Sequence, residues 1–396
     1  MKNLNVLMAF ALALVLLFGC AAVSKPKETT QGPPQDVVPG STPSVQTPGV
    51  AKLDMAILIA QTRILASGGT YAAPYLRQMG DMAVYRKDNS RFFTYDFASS
   101  KETEVPLTYD YDADYSVAGQ RAYLTPAPSN TVIYIATNSK AGKPVGDMFL
   151  VGADGSRLVR LKASDILVSL ASAYPAAGDA QFASLSMSFN GNRGAYLASV
   201  TDKGGNKLDQ VIGTTDRSSY NLLTMPDKYP AEGEPLISAN GERILFKDGS
   251  SDLFASDFAG TQIVKLSSSA GAFAVSGDGK VVAFFKKSDD SNGKAGLYSS
   301  NADGTSMAQL VASTQIGDIT SIALNGDGSE LLFTGKEAGA KGHQAYHYAQ
   351  TKVLTRLTDF SGTALLDQLS ASADLKKMLF IYAGEGSKGT LYYAER

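Results

Sequence analysis

Two histidines, His343 and His347, are the whole imidazole complement of this 396-residue chain, and they stand four positions apart. On a strand they would share a face but lie about 13 Å from each other, too far for one metal ion. They read as solvated or ion-paired side chains, and no metal or other cofactor is expected. Gly-x-Ser-x-Gly elbows, His-Glu-x-x-His helices and phosphate loops do not occur. A Ser-His-Asp triad would have to be built around an exposed loop, so no catalytic residue is assigned. The most polar run is Tyr109-Asp-Tyr-Asp-Ala-Asp-Tyr115. It sets Asp110, Asp112 and Asp114 at the alternate positions that open a calcium loop. An EF-hand counted from Asp110 needs Gly where Tyr115 stands and Glu where Arg121 stands, so the run reads as a solvated acidic loop, with a looser calcium site as the alternative.

The remaining chemistry is at Cys20, the single thiol of the chain, which leaves no partner for an internal disulfide. After Lys2 an apolar stretch runs from Leu4 to Phe18, long enough for a secretory signal and short for a spanning helix. Leu17-Phe-Gly-Cys20 resembles the lipobox of bacterial lipoproteins. That resemblance implies removal of residues 1–19, acylation of Cys20 and attachment to a membrane through several acyl chains. Ala21 and Ala22 follow, and Ala21 stands where, in the resemblance to enterobacterial sorting, an Asp would retain such a protein at the inner membrane. The implied location is therefore the outer membrane, facing the periplasm or the cell surface. Residues 20–50 form the lipidated Cys and its tether: from Lys25 to Val50 the chain is rich in Pro, Thr, Ser, Gln and Gly and has no aromatic, so it cannot bury enough apolar area to order itself. About 30 such residues would span roughly 30 Å.

Residues 51–396 are long enough for a large core. The whole chain carries 36 basic and 38 acidic side chains, a near balance that points to no nucleic-acid partner. One pattern recurs in residues 51–396. Met82-Ala-Val-Tyr85, Thr131-Val-Ile-Tyr134, Arg193-Gly-Ala-Tyr196, Arg243-Ile-Leu-Phe246, Val281-Val-Ala-Phe284, Glu330-Leu-Leu-Phe333 and Lys377-Met-Leu-Phe380 each end in an aromatic plug, at intervals of 38 to 62 residues. Asn190-Gly191, Asn240-Gly241, Asp278-Gly279 and Asp327-Gly328 precede four of them and signal tight hairpins. A second plug follows at Phe93, Phe149, Val211, Phe254, Tyr298, Tyr346 and Tyr392, and in six units a Leu marks a fourth strand. The seventh unit stops after its third. Thr62-Arg-Ile-Leu-Ala66 has the pattern of the missing strand, so Ile64 and Leu65 are expected beside Tyr392. A helix running on from Ala51 is the other reading, since Ala56 to Ala60 is equally helical in pattern.

An all-β fold of four-stranded units repeated at this period is a β-propeller. Seven blades fit best, closed by an N-terminal strand; six or eight are the alternatives, because the unit ending at Tyr196 is long. Ser276-Gly-Asp-Gly-Lys-Val-Val-Ala-Phe284, followed by Gly296-Leu-Tyr-Ser-Ser-Asn-Ala-Asp-Gly304, resembles the repeat of TolB-type propellers. The Pro of that family's turn is missing in nearly every copy, and its separate α/β domain has no room here, so its partners are not implied. The absence of Trp argues against quinone-type and ordinary WD-repeat propellers.

The first-to-second strand turns are too short to carry specificity. The long connections lie at the other face: Tyr109 to Gly119, Ala163 to Ala180 and Met225 to Glu234 between units, with Thr137 to Asp147, Lys286 to Ala295 and Gly335 to Gln344 within them. They would gather Tyr109, Tyr111, Tyr115, Tyr174 and Tyr229, the acids Asp110, Asp112 and Asp114, and Lys140, Lys143, Lys287 and Lys341 around a channel mouth, a composition suited to recognition. The expected function is a non-enzymatic binding or scaffolding lipoprotein for a protein, peptide or glycan of the cell envelope. The rival is a polysaccharide lyase or hydrolase with carboxylates and Tyr at that mouth.

Overall fold

The computed structural model describes residues 53–54, 61–66, 71–77, 79–87, 91–105, 115–124, 131–140, 143–152, 157–224, 231–291, 293–349, 351–360, 362–363, 365–383 and 389–396. They fall in one compact unit. Two short strands come first, β1 (Leu53–Asp54) and β2 (Gln61–Ala66). Seven sheets follow in chain order. The first holds β3 to β6 (Tyr71–Leu76, Met82–Lys87, Arg91–Asp96, Lys101–Glu104). The second holds β7, β8, β10 and β11 (Tyr115–Leu124, Thr131–Lys140, Met148–Gly152, Arg157–Leu161), with β9 (Lys143–Val145) folded back on β8. Helix α1 (Ala163–Leu170) leads into the third, β12 to β15 (Ala177–Met187, Gly194–Asp202, Lys207–Thr215, Tyr220–Leu222). The fourth is β16 to β19 (Ala231–Ile237, Arg243–Asp248, Leu253–Asp257, Ile263–Ser267), and the fifth β20 to β23 (Ala270–Val275, Val281–Lys286, Gly296–Asn301, Ala308–Ala312). The sixth is β24 to β27 (Ile316–Leu324, Glu330–Glu337, Gln344–Ala349, Leu354–Arg356), with β1 parallel to β27 at its edge. The seventh is β28 to β30 (Leu365–Ala371, Lys377–Ala383, Thr390–Glu395), and β2 pairs antiparallel with β30, setting Ile64 opposite Tyr392.

Apart from the added β1 and β2, each sheet is an antiparallel meander, and the first strand of one packs on the first strand of the next: β3 on β7, β7 on β12, β12 on β16, and onward through β20 and β24 to β28, which packs on β3. The fold is an all-β propeller of four-stranded blades. Among the described residues no helix is long and apolar enough to cross a membrane.

A cross-strand aromatic pair explains why the plugs recur. Tyr85 lies opposite Phe93, Phe246 opposite Phe254, Phe284 opposite Tyr298, Phe333 opposite Tyr346 and Phe380 opposite Tyr392. In all five the rings stack, with centroids 6.2, 5.5, 5.7, 5.2 and 5.7 Å apart. Each such pair contributes about 0.5–1.5 kcal/mol beyond the area it buries. The third sheet departs from this rule. Opposite Tyr196 stands Gly213, not Val211, which pairs with Ala198. A Cβ at Gly213 would come within 2.3 Å of the Tyr196 hydroxyl, so the missing side chain makes room for the ring, and Phe182 and Tyr220 meet its edges instead.

The short turns between first and second strands are built alike. Ser188, Ser238 and Ser276 each donate a hydroxyl hydrogen bond to the Asn or Asp two residues on (Asn190, Asn240, Asp278), and each accepts one from the backbone N–H five residues on. Ser372 and Asp374 repeat the motif. Neighbouring turns are also joined: the N–H of Phe189 donates to the carbonyl of Ala239, Asn240 to Gly277 and Asp278 to Gly326. Burial pushes the Asp278 carboxyl up, but the Ser276 hydroxyl and the backbone and charge of Lys280 hold it below the usual range.

Gly191, Gly241, Gly279 and Gly328 take positive φ in these turns. At Gly328 a Cβ would also meet Val281 at 2.4 Å, whereas Gly339, likewise at positive φ, has nothing within 4 Å. Gly339→Ala should therefore cost only the left-handed penalty of about 1 kcal/mol. Gly328→Ala should cost at least ~1 kcal/mol more, because the overlap adds to it. Chemical denaturation of the two variants side by side checks this; equal losses would remove the turn-to-turn contact from the account.

Candidate functional site

The expected cluster of loop tyrosines and acids distributes unevenly. Cys20, Tyr109, Asp110, Tyr111, Asp112, Asp114 and Tyr229 lie outside the described residues. Tyr115 opens β7, in register with Lys140, and Lys140 is in register with Lys143 of β9. Within the stretch from Thr137 to Asp147, Asn138–Lys140 thus pair with Lys143–Val145 as strands and not as an open loop. Lys287 and Lys341 are exposed.

Tyr174 differs most from expectation, for it is packed in the core and only 9% exposed. The connection that carries it begins with α1, whose Ala163, Ile166 and Leu170 share one buried face. Lys162 supplies no side-chain cap to this helix; the buried Asp147, from the second sheet, instead accepts the first helical N–H through Oδ1 at 2.8 Å. The helix closes on Tyr174, whose hydroxyl donates to Oδ2 of Asp209 at 2.7 Å. Its sequence signal, a Tyr in a long polar connection, did not reveal the helix that turns it inward.

What the structure does assemble at the end of the channel away from the short turns is a ring of backbone irregularities. In every sheet the pairing of first with second strand slips: between Ala72 and Tyr75, Val117 and Gly119, Phe182 and Ser184, Glu232 and Leu236, Ala270 and Phe273, Gly317 and Ser321, and Asp367 and Ser370. A bulge of this kind frees backbone groups from the ladder and re-aims side chains. Three bulges hold a residue at positive φ: Gly233, Asp318 (φ 50) and Gln368 (φ 55). For the last two this backbone costs energy, and such strain gathers where function needs it.

Asp318 is held there by His343. The buried ring brings Nε2 to 3.1 Å from both the backbone carbonyl and the carboxylate of Asp318, whose side chain is 69% exposed. Glu234 and Gln368 are exposed at the bulges of their own strands, and the carboxylate of Glu232 accepts the Ser251 hydroxyl at 3.0 Å. Tyr75 follows the bulge of β3, and burial pushes its hydroxyl far above the usual range. Nearby, Gln344 is fully engaged: it donates to the carbonyl of Phe360 and accepts from the Thr358 hydroxyl and the Phe360 N–H. This rim offers carboxylates and an amide on strands, with the buried imidazole of His343 just ahead of β26. It can bind hydroxyl-rich or polar groups and has the parts for proton transfer. Among the described residues no three His, Cys, Asp or Glu side chains gather as a metal site would require.

Sequence reasoning missed Asp318, Gln368 and the role of His343. Gly233 and Pro235 break the alternation around Glu234 and could have pointed to that bulge; an ordinary residue at positive φ leaves no such mark.

These features define the class: a β-propeller with a polar rim of bulges at one channel mouth. No family model matches the chain, and no curated protein matches it. Among solved structures it is similar to an oligogalacturonate lyase in complex with manganese, at 15% identity over 86% of this chain and 95% of that one, with a TM-score of 0.56. It is similar also to the β-propeller domain of the Trilobed protease from Pyrococcus furiosus, described as having an open velcro topology, at 10% identity over 82% and 95%, with a TM-score of 0.51. Both likenesses concern the fold.

Because Tyr174 belongs to the core, Tyr174→Phe should lower stability by about 1 kcal/mol through the lost bond to Asp209, and should leave any surface binding unchanged. Thermal unfolding and a binding measurement on the same preparation check it; a stable variant with impaired binding would return Tyr174 to the recognition surface.

Proposed function

We propose that the chain is a cell-envelope lipoprotein whose propeller binds a protein, peptide or glycan at the rim of its channel without turning it over. In this reading residues 1–19 are an export signal, Cys20 carries the lipid, residues 20–50 are the tether and residues 51–396 are a TolB-type propeller. Its seven sheets act as blades of one ring, with β2 completing the last. The repeated Ser-x-Asp/Asn turn supports the TolB-type assignment, the lipobox supports the anchor, and Ala21 in place of Asp after Cys20 supports an outer-membrane location facing the periplasm or the surface.

The observation that carries the binding role is the strain at Asp318 and Gln368. Two non-glycine residues are kept in a disfavoured backbone on exposed bulges, where Gly would relieve the cost. A second reading, a lyase or hydrolase acting on acidic polysaccharide, is favoured by the His343–Asp318 pair, which sets an imidazole beside an exposed carboxylate on that rim.

Asp318→Gly and Gln368→Gly remove both side chains while relaxing the backbone, so the double variant should fold. Crosslinking of the full lipidated chain in intact envelopes should then recover at least ~10-fold less of the species captured by the wild type, a loss of about 1.4 kcal/mol or more in binding. Undiminished capture would overturn the rim as the site. Turnover of acidic oligosaccharides that disappears in His343→Gln would instead establish the second reading. The anchor is tested separately: Cys20→Ser should abolish acyl labelling and shift the protein from the membrane to the soluble fraction.

A further inference from the structure

The proton on one imidazole nitrogen decides between two sets of partners at the seam between the sixth and seventh sheets. His347, on β26, directs Nε2 to Oε2 of Glu330 on β25, 2.7 Å away. Arg396, which follows β30, brings one guanidinium nitrogen against that same Nε2 and the other to 2.9 Å from the same Glu330 oxygen. Both contacts cannot be hydrogen bonds at once. A guanidinium only donates, so it needs a bare Nε2; an ionised carboxylate only accepts, so it needs Nε2–H. A neutral ring can leave Nε2 bare by carrying its proton on Nδ1. An imidazolium cannot, and it would face the guanidinium as a second positive charge.

We infer that Glu330, His347 and Arg396 form an acid-released clasp: with His347 neutral, Arg396 ties the end of β30 to the sixth sheet, and protonation hands Glu330 to the imidazolium and frees Arg396. The position gives this consequence. Glu395, the preceding residue, pairs with Lys377 of β29 on one side and with Gln61 of β2 on the other. The sixth sheet in turn holds β1 on β27. The clasp therefore joins the two sheets to which the N-terminal segment is added as edge strands. Its release loosens the β2–β30 seam without unfolding the blades, since the Arg396 N–H keeps its bond to the carbonyl of Lys376 at 2.7 Å.

The other groups around the ring do not compete. The strands flanking β26 set Leu332 and Thr355 opposite His347. Glu395 accepts the Tyr393 hydroxyl and lies 4.0 Å from Lys377, and Lys376 is paired with Asp374. Burial lowers the affinity of His347 for a proton, the charge of Arg396 lowers it further, and Glu330 opposes both without reversing the shift. For Glu330, burial works upward, but Arg396 and His347 outweigh it and hold the carboxylate ionised. A histidine whose folded affinity is depressed contributes stability in full above its unfolded pKa, about 6.5, and loses it as pH falls from there through the folded value.

The test uses the full chain, and with two histidines in the sequence the imidazole signals are simple to follow by NMR. His347 should titrate below about 6.5, and Arg396→Gln should move it upward. Hydrogen exchange, corrected for intrinsic rates, should show protection at residues 61–64 and 392–395 falling at least ~5-fold between pH 7.5 and 5.5 in the wild type and less than ~2-fold in His347→Gln. Equal losses in both proteins would overturn the clasp. An unmoved or lowered His347 titration in Arg396→Gln would overturn it as well, and that measurement stands even where His347→Gln folds poorly.

Discussion

Stacking of a second-strand aromatic on a third-strand aromatic at one register is the constraint on which the sheets depend. Because side chains alternate in a strand, a slip by one residue would turn Phe284 or Phe333 away from the core. In the five sheets that have it the pair thus fixes register from within, and Leu residues such as Leu297 and Leu331 fill the space between the fifth and sixth sheets. Where the pair is absent, in the third sheet, a glycine takes the facing position and two further aromatics are recruited to Tyr196. The same volume is filled by different residues, and the length of this unit comes from α1 and the connection that carries it into β12.

The two ends of the channel are made differently. At one, serine-anchored turns are hydrogen-bonded to each other, so the backbone has few free groups and little freedom. At the other, each first strand leaves its partner by one or more residues, and the freed groups are met by side chains such as His343. Serine hydroxyls carry part of the contact between neighbouring first strands: Ser370 accepts from Leu76, Ser321 from Leu369 and Ser186 from Ile237. These bonds do for the spaces between sheets what the ladder does within them.

The segment ahead of the first sheet strengthens this arrangement in an economical way. β1 lies parallel to β27 and β2 antiparallel to β30, so two successive stretches of chain cover the outer edges of neighbouring sheets. Uncovered edges invite pairing with other chains. The Glu330–His347–Arg396 group lies between those same two sheets, placing charge at a junction otherwise held by backbone pairing and apolar contact.

Much of this architecture was written in local patterns. The spacing of Tyr85, Phe246, Phe284, Phe333 and Phe380, and the Asn-Gly and Asp-Gly pairs before several of them, depend on strand alternation and on positive φ, and both are properties of a few adjacent residues. The strand pattern of Thr62 to Ala66 was legible for the same reason. What tertiary structure alone decided is where partners come from distant parts of the chain. Tyr174 was turned inward by a helix capped from another sheet, and Gly213 took the place facing Tyr196 because the ring needed its volume. Asp318 and Gln368 acquired strained backbones from the mismatch between paired strands, and Arg396 met His347 because two sheets lie side by side. Packing and long-range hydrogen bonding set these positions, and neither has a period or a motif that a single sequence can display.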